Sequence, residues 1–284
     1  MKNSREYKQE LNGLAGVLAT VRTLEKIAAS QIHTAKESMQ LLKEYTTKIS
    51  GIIDALGRDS VAQASLLAGN PSGAHVLVIV TGNKRLVGGL WRDVMAQAAE
   101  RMHEYQHIMV IGKKAEQYMR EEYPNSTVTA IPVDDTNADD SRYTIAMHLV
   151  NEFKRQRFAR IDVAYPQFIA LSVHQATIVP LLPFRFADAP VGTIETIGVP
   201  IIEPDRELIA GALVEKYSIA YAQQMLMETS LSELAARTIT LEHATEKTKQ
   251  ILKKVRHDHA KERIRVTTQK QLESFTAHAY TQRT

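Results

Sequence analysis

All nine prolines of this 284-residue chain fall between Pro71 and Pro204, and no glycine occurs from Val17 to Ser50 or after Gly211. A proline in a helix interior costs about 3 kcal/mol and a glycine about 1 kcal/mol relative to alanine, so their absence leaves two stretches that nothing interrupts. The chain is punctuated only in its middle. In the first stretch, apolar residues recur at Leu11, Leu14, Leu18, Val21, Leu24, Ala28, Ile32, Ala35, Met39, Leu42, Tyr45, Ile49 and Ile52. Steps of three and four keep such residues on one helix face, which predicts a helix from Ser4 to Leu56 with a soft spot at Gly13 and Gly16. At about 1.5 Å per residue it would be on the order of 75 to 80 Å long. A helix of that length needs a partner of similar length to cover its stripe.

The partner is at the other end of the sequence. From Asp205 to about Ala279 there is no proline, and Leu231, Leu234, Thr238, Leu241, Thr245, Thr248, Leu252 and Val255 repeat the same steps. The stripe then weakens, because His259, Glu262 and Gln269 stand where the register expects apolar residues. The last two turns or more are therefore expected to outrun the first helix. Helices at opposite termini with a compact domain between them can meet antiparallel, as a left-handed coiled coil if the period holds near 3.5. The competing arrangement is an amphipathic helix pair folded onto a globular core, and the length of both stripes argues against it.

Between the helices the pattern changes. Ala74 to Thr81 (AHVLVIVT) is a continuous apolar, β-branched run; Gly88 and Gly89 then precede a helical pattern from Leu90 to about Tyr105. A strand at His107 to Gly112, a helix at Lys113 to Glu122, a strand near Thr127 to Val133 and a helix from about Asp140 to Gln156 follow, with further strands at Arg160 to Tyr165 and His174 to Leu181. Alternation of this kind predicts a largely parallel sheet covered on both faces. The expected fold class is thus α/β: long N- and C-terminal helices forming an antiparallel coiled coil, with a central Rossmann-like α/β domain. Its parts are an N-terminal helix over 1–58, a linker over 59–73, the α/β domain over 74–202 and a C-terminal helix over 203–284.

Few catalytic chemistries survive inspection. The loop TGNKRLVGG (Thr81 to Gly89) lies between strand and helix as phosphate loops do, but Leu90-Trp91 follow its last glycine where a P-loop requires Lys-Ser/Thr, and G-x-G-x-x-G is absent. Gly88 and Gly89 are read instead as a structural turn permitting close helix-on-strand packing. His103 with His107 and His257 with His259 lack a third ligand at suitable spacing and are read as surface or packing histidines. There is no cysteine, so disulfides and thiolate metal sites are excluded. No metal site, cofactor or catalytic set is expected. The first ten residues, MKNSREYKQE, do not resemble a signal or transit peptide, and the apolar run at Val76 to Val80 is far shorter than the roughly 20 residues that cross a bilayer. Membrane association would have to pass through a partner, without direct insertion.

The formal charge of +3 is mild, but it is unevenly placed. From Lys247 to Lys270 there are nine Lys or Arg residues (Lys247, Lys249, Lys253, Lys254, Arg256, Lys261, Arg263, Arg265 and Lys270) against two acids, Asp258 and Glu262. A basic helix that outruns its partner can meet an acidic protein surface, DNA or an anionic membrane, or simply stay solvated. Three functions are compatible with this much: a mechanical subunit, a coiled-coil adaptor or nucleic-acid binder, and a Rossmann-type enzyme, the last weakened by the missing fingerprints.

Specific residues then carry a resemblance. SELAARTITLEHAT (Ser232 to Thr245) is similar to the Ser-Glu-x-Ala-Ala-Arg…Ala-Thr motif of the gamma subunits of F-type ATP synthases. Ile27-Ala28-Ala29-Ser30 resembles the family's Val-Ala-Ala-Ser, VTGNKRLVGGL its Thr-Ser-Asp-Arg-Gly-Leu-Cys-Gly-Gly turn, and Glu203-Pro204 the Glu-Pro that opens its C-terminal helix. VRTLEKIAAS is also similar to the alternate, sodium-linked branch. The resemblance implies a non-catalytic rotor shaft within a hexamer of alpha and beta subunits, coupling ion flow through a membrane ring to ATP synthesis or hydrolysis at beta-subunit sites. Its implied partners are alpha, beta and epsilon subunits and the c-ring, with no nucleic acid, at the cytoplasmic face of the bacterial plasma membrane. Implied partner-contact residues are Leu24, Arg237, Lys261, Arg263, Arg265, Thr268 and Gln269. The sequence departs from the family at Leu24 (usually Met), Arg85 (a loop glycine), Ile264 (commonly Gln) and Lys270 (Glu), which changes the chemistry available to individual contacts.

Overall fold

The computed structural model describes residues 3–56, 70, 72–124, 128–133, 138–155, 158–185, 203 and 205–281, with the side chains of 138, 139 and 277–281 left aside. The expected linker lies outside the described residues except at Asn70, Ser72 and Gly73, as do residues 186–202 at the end of the expected α/β region.

Two helices occupy the proline-free ends: α1, Ser4–Leu56, and a C-terminal helix, Arg206–Thr281. Between them lie β1 (Ala74–Val80), α2 (Leu90–Arg101), β2 (His107–Ile111), α3 (Lys113–Glu122), β3 (Val128–Ile131), α4 (Ala138–Lys154), β4 (Phe158–Ala170) and β5 (Val173–Leu182), which makes the C-terminal helix α5. Asn3 starts α1: its Oδ1 accepts the backbone N–H groups of Arg5 and Glu6, and Glu6 Oε2 accepts the N–H of Asn3 at 2.9 Å, a reciprocal cap. Asp205 caps α5 with a single bond, its Oδ2 accepting the N–H of Leu208 at 3.2 Å. The helical pattern expected to run to Tyr105 ends earlier, at Arg101, and closes in a 3₁₀ turn over Met102–Glu104.

The five strands are ordered β3-β2-β1-β4-β5; the first four are parallel and β5 is antiparallel to β4. Alternation along β1 divides the core. Leu77 and Ile79 face α2 and α3, through Val94, Met95, Ala98, Ala115 and Met119. Val76, Val78 and Val80 face the other way, onto α4 and the inner parts of α1 and α5. Both faces are covered, so β1 reads as a continuous apolar run. β4 extends past its expected end and through Pro166, which lies beyond Ala164, the last residue paired with β1. There the missing N–H of proline breaks no ladder bond to β1.

The chain divides into two compact units: residues 30–237, which hold the sheet, and residues 1–29 with 238–284. In each, α1 and α5 run antiparallel. In the terminal unit Ser4 Oγ bonds His259 Nε2 at 3.0 Å, Tyr7 lies against the same imidazole, and Thr245 Oγ1 donates to Glu25 Oε2 at 3.2 Å. In the sheet unit Lys43 Nζ reaches Glu228 Oε1 at 3.7 Å.

The covered stripe of α1 is not quite the expected one. Leu24, Tyr45 and Ile52 are 41–46% exposed, while their neighbours Glu25, Thr46 and Ile53 are covered. With those replacements the seam from Ser4 through Leu18, Val21, Glu25, Ala28 and Ile32 to Leu56 alternates steps of three and four throughout, the 3.5-residue period of a left-handed coiled coil. On α5 the same alternation runs from Leu231 through Val255 and continues at His259, Glu262 and Val266. The seam thus tolerates His259 and Glu262, and only from Thr267 to Thr276 is every residue exposed. Among the described residues no helix is long and apolar enough to cross a membrane.

Candidate functional site: the helix clamp and the basic terminus

Four side chains of one stretch of α5 hold the sheet unit together. Ser232 is fully buried and its hydroxyl donates to the carbonyl of Pro166 on β4 at 2.9 Å. One residue on, Glu233 turns toward the loop after β1 and makes an ion pair with Arg237, one helical turn away; each side chain is 12% exposed. Arg237 Nε also donates to the carbonyl of Arg85 at 3.4 Å. Ala236, between them, packs on Val87, Leu90 and Trp91. The helix is thus tied to a strand on one side and to a loop on the other.

Gly82 makes the loop side possible. A β-carbon there would overlap the carboxylate of Glu233 and come within 2.7 Å of the Trp91 ring. Gly112 is similarly constrained, with φ +94° and a β-carbon position overlapping the carbonyl of Thr81. Gly88 has φ +59°, which serves the turn, whereas Gly89 stands at the start of α2, where a β-carbon would meet the mobile end of Arg92. Close packing against this loop is made at Gly82, while Gly88 supplies the turn. Leu86 adopts φ +65° at the loop tip and is 54% exposed.

A cleft of about 450 Å³ opens beside the clamp at the carboxyl ends of the strands, lined by Ser30, Thr34, Asn83, Lys84, Arg142 and Glu233. In nucleotide-binding α/β folds the N–H groups at a helix start are left open to phosphate here. In this chain α3 is capped from within: Asn83 Oδ1 accepts Lys113 N–H at 2.8 Å, and Thr81 Oγ1 accepts Ala115 N–H at 2.9 Å. These bonds close the start of α3, whereas the start of α2, the helix that follows β1, has no side-chain cap.

The other residues singled out in the sequence lie in the terminal unit. Leu24 is exposed, level with Thr245, next to the seam. Lys261, Arg263, Thr268 and Gln269 are exposed near and beyond the level of Ser4, with Gln269 Nε2 bonded to Glu273 Oε1. Arg265 differs: its guanidinium makes two bonds to Glu262, at 2.8 and 2.9 Å, which hold the Glu262 carboxyl below its usual range. Within the basic strip Lys249 is likewise paired, with Glu246 at 3.2 Å.

The model of the ATP synthase family matches residues 3–273, over which the paired helices, the sheet and the clamp all fall, and the curated relatives are ATP synthase gamma chains. The chain belongs to the ATP synthase gamma family. The gamma chain of Roseiflexus sp. (strain RS-1) is 24% identical over 261 residues, covering 88% of this chain and 89% of that one. That of Ruthia magnifica is 25% identical over 278 residues, covering 95% and 96%. In fold the chain is similar to one in the Euglena gracilis mitochondrial ATP synthase structure of OSCP, F1 and c-ring in rotational state 3, with a TM-score of 0.66, 17% identity and coverage of 97% and 93%. A chain of the same organism's rotor in rotational state 1 gives a TM-score of 0.61 at 15% identity.

Family membership gives the motif at Ser232 to Arg237 a physical reading: Ser232, Glu233, Ala236 and Arg237 all point into their own unit. Arg237, implied by the resemblance to meet a partner, is engaged internally by Glu233 and Arg85. Sequence reasoning missed Gly82 and Ser232 as site residues. The signal for Gly82 was its place directly after an apolar strand and a threonine, which does not by itself reveal a carboxylate arriving from a helix about 150 residues later in the sequence.

Proposed function

We propose that this chain is the central rotor shaft of a rotary F-type ATP synthase, coupling ion flow through the membrane ring to ATP synthesis and hydrolysis on beta subunits. It carries no catalytic site of its own. The alpha, beta and epsilon subunits and the c-ring are its partners, and the assembly holds it peripherally at the cytoplasmic face of the plasma membrane. The observation that carries this reading is the three-and-four seam that runs the length of α1 and from Leu231 to Val266 on α5, in a chain of this family. Two helices sharing a buried seam resist splaying under torque better than one. As an asymmetric pair turns, each beta subunit meets a different face, so each site's affinity follows the angle, which is coupling by rigid-body rotation.

On this reading the functional division is a helical segment over 1–58, a linker over 59–73, an α/β foot over 74–202 and a helix over 203–284. Leu24 and the terminal residues Lys261, Arg263, Arg265, Thr268 and Gln269 face the stator. The test is co-purification from cells expressing a tagged copy. Alpha and beta subunits come down with it, and the isolated chain neither binds nor hydrolyses ATP. Recovery of the chain without either subunit would overturn the proposal.

A further inference from the structure

A shaft transmits torque only if its helices cannot turn or slide against the domain that drives them. The sheet unit shows where α5 is held. Along one and a half turns, Ser232 is bonded to β4, Glu233 is seated against Gly82, Ala236 is packed on Val87, Leu90 and Trp91, and Arg237 is bonded to the loop at Arg85. The contacts reach the helix from a strand and from a loop, so a rotation of α5 about its axis would break one set whichever way it went. The bonds are directional, and those of the Glu233–Arg237 pair are charge-assisted and largely shielded from water. α5 then continues without interruption to Thr281.

We propose that Glu233, Arg237 and Gly82 are positioning residues for coupling: they lock α5 against the loop after β1, so that torque entering the sheet unit turns the helix instead of slipping past it. This rests on the rotor reading above. It differs from it in assigning the family motif at Ser232 to Arg237 an internal mechanical task in place of contact with the stator. The seat is specific. A β-carbon at position 82 would collide with the Glu233 carboxylate and with the Trp91 ring, so a larger side chain there displaces one or both from the seat beside Arg237.

The experiment uses the intact synthase in sealed vesicles, measuring ATP hydrolysis and ATP-driven ion pumping on the same preparation. Gly82→Ala and Glu233→Ala each lower the ions moved per ATP hydrolysed severalfold, while hydrolysis with the gradient collapsed by an ionophore is retained. Combining them costs less than the sum of the two losses, because the alanine at 82 then meets only the Trp91 ring and no longer the carboxylate. Such non-additivity is the signature of a direct contact. Should Glu233→Ala not assemble, Glu233→Gln, which keeps shape and removes the charge, replaces it in the single-variant measurement, and the double-variant comparison is confined to Glu233→Ala. Unchanged pumping per ATP in Gly82→Ala and in the assembled Glu233 variant would overturn the clamp, as would strictly additive losses. Failure of the wild-type chain to assemble with alpha and beta subunits would instead overturn the rotor reading.

Discussion

Tyr105 and Asp162 illustrate how single buried groups set the behaviour of the sheet unit. Asp162 is fully buried on β4, and its carboxylate receives the Tyr105 hydroxyl at 2.6 Å and Arg160 Nε at 2.7 Å. Burial, with the bond to Asp162 second, pushes the Tyr105 phenol well above its usual value, and burial does the same to Tyr165. Because both phenols are raised in the folded state, their contribution is present in full below the unfolded tyrosine value near 10 and is lost as pH rises beyond it. Urea unfolding should therefore show stability falling steeply above about pH 10. Tyr105→Phe should cost roughly 1–3 kcal/mol at neutral pH, by leaving a carboxylate oxygen without its donor, and should soften that alkaline fall. An unchanged pH profile in the variant would mean that the other raised phenols, Tyr165 and Tyr118, carry it. Residues of this kind were the least legible in the sequence. Gly82, Ser232 and Asp162 each depend on a group from a distant segment, and no local period marks them.

At the level of elements much more was legible, because the signals there are local. The proline-free ends gave two helices, and the β-branched runs gave all five strands. At two of the three displaced positions the reason is chemical: Glu25 and Thr46 are polar, so the pattern favours the neighbouring Leu24 and Tyr45, whereas Ile52 and Ile53 are chemically alike and only the 3.5-residue period separates them. The covered positions obey the 3.5-residue period more strictly than hydrophobicity does. Glu25 is accepted there because Thr245 donates to it, and Ser4 meets His259 in the same way. The soft spot expected at Gly13 and Gly16 does not break α1, and a β-carbon at either would meet nothing within 4 Å. Both face solvent in a helical backbone, so an alanine removes unfolded-state freedom without strain. Gly13→Ala and Gly16→Ala should each stabilise the protein by about 0.4–1 kcal/mol, as read by chemical denaturation. Destabilisation by either would show that the flexibility of this turn is needed for the fold.

For the molecule as a whole, the distribution of charge matters more than its total. Nine cations and two acids lie between Lys247 and Lys270, yet the chain carries only +3, so the remainder is net negative. The fold refines which of these cations face outward. Arg265 is engaged by Glu262 and Lys249 by Glu246, whereas Lys261 and Arg263 stand exposed on the terminal part of α5. If the strip works by guiding the helix against acidic stator segments, its effect is long-ranged and sensitive to salt, since screening acts over about 10 Å at 0.1 M ionic strength. The double variant Lys261→Glu, Arg263→Glu should lower ATP-driven pumping in the assembled synthase at low salt, and the gap to wild type should narrow as salt is added. Arg265→Glu should behave differently: it removes two hydrogen bonds from the largely buried Glu262 carboxylate, so part of its loss is local to the helix and persists at high salt. Equal pumping by the double variant and the wild type at low salt would remove Lys261 and Arg263 from the coupling surface. A loss that salt does not relieve would assign their role to close, desolvated contacts instead of steering.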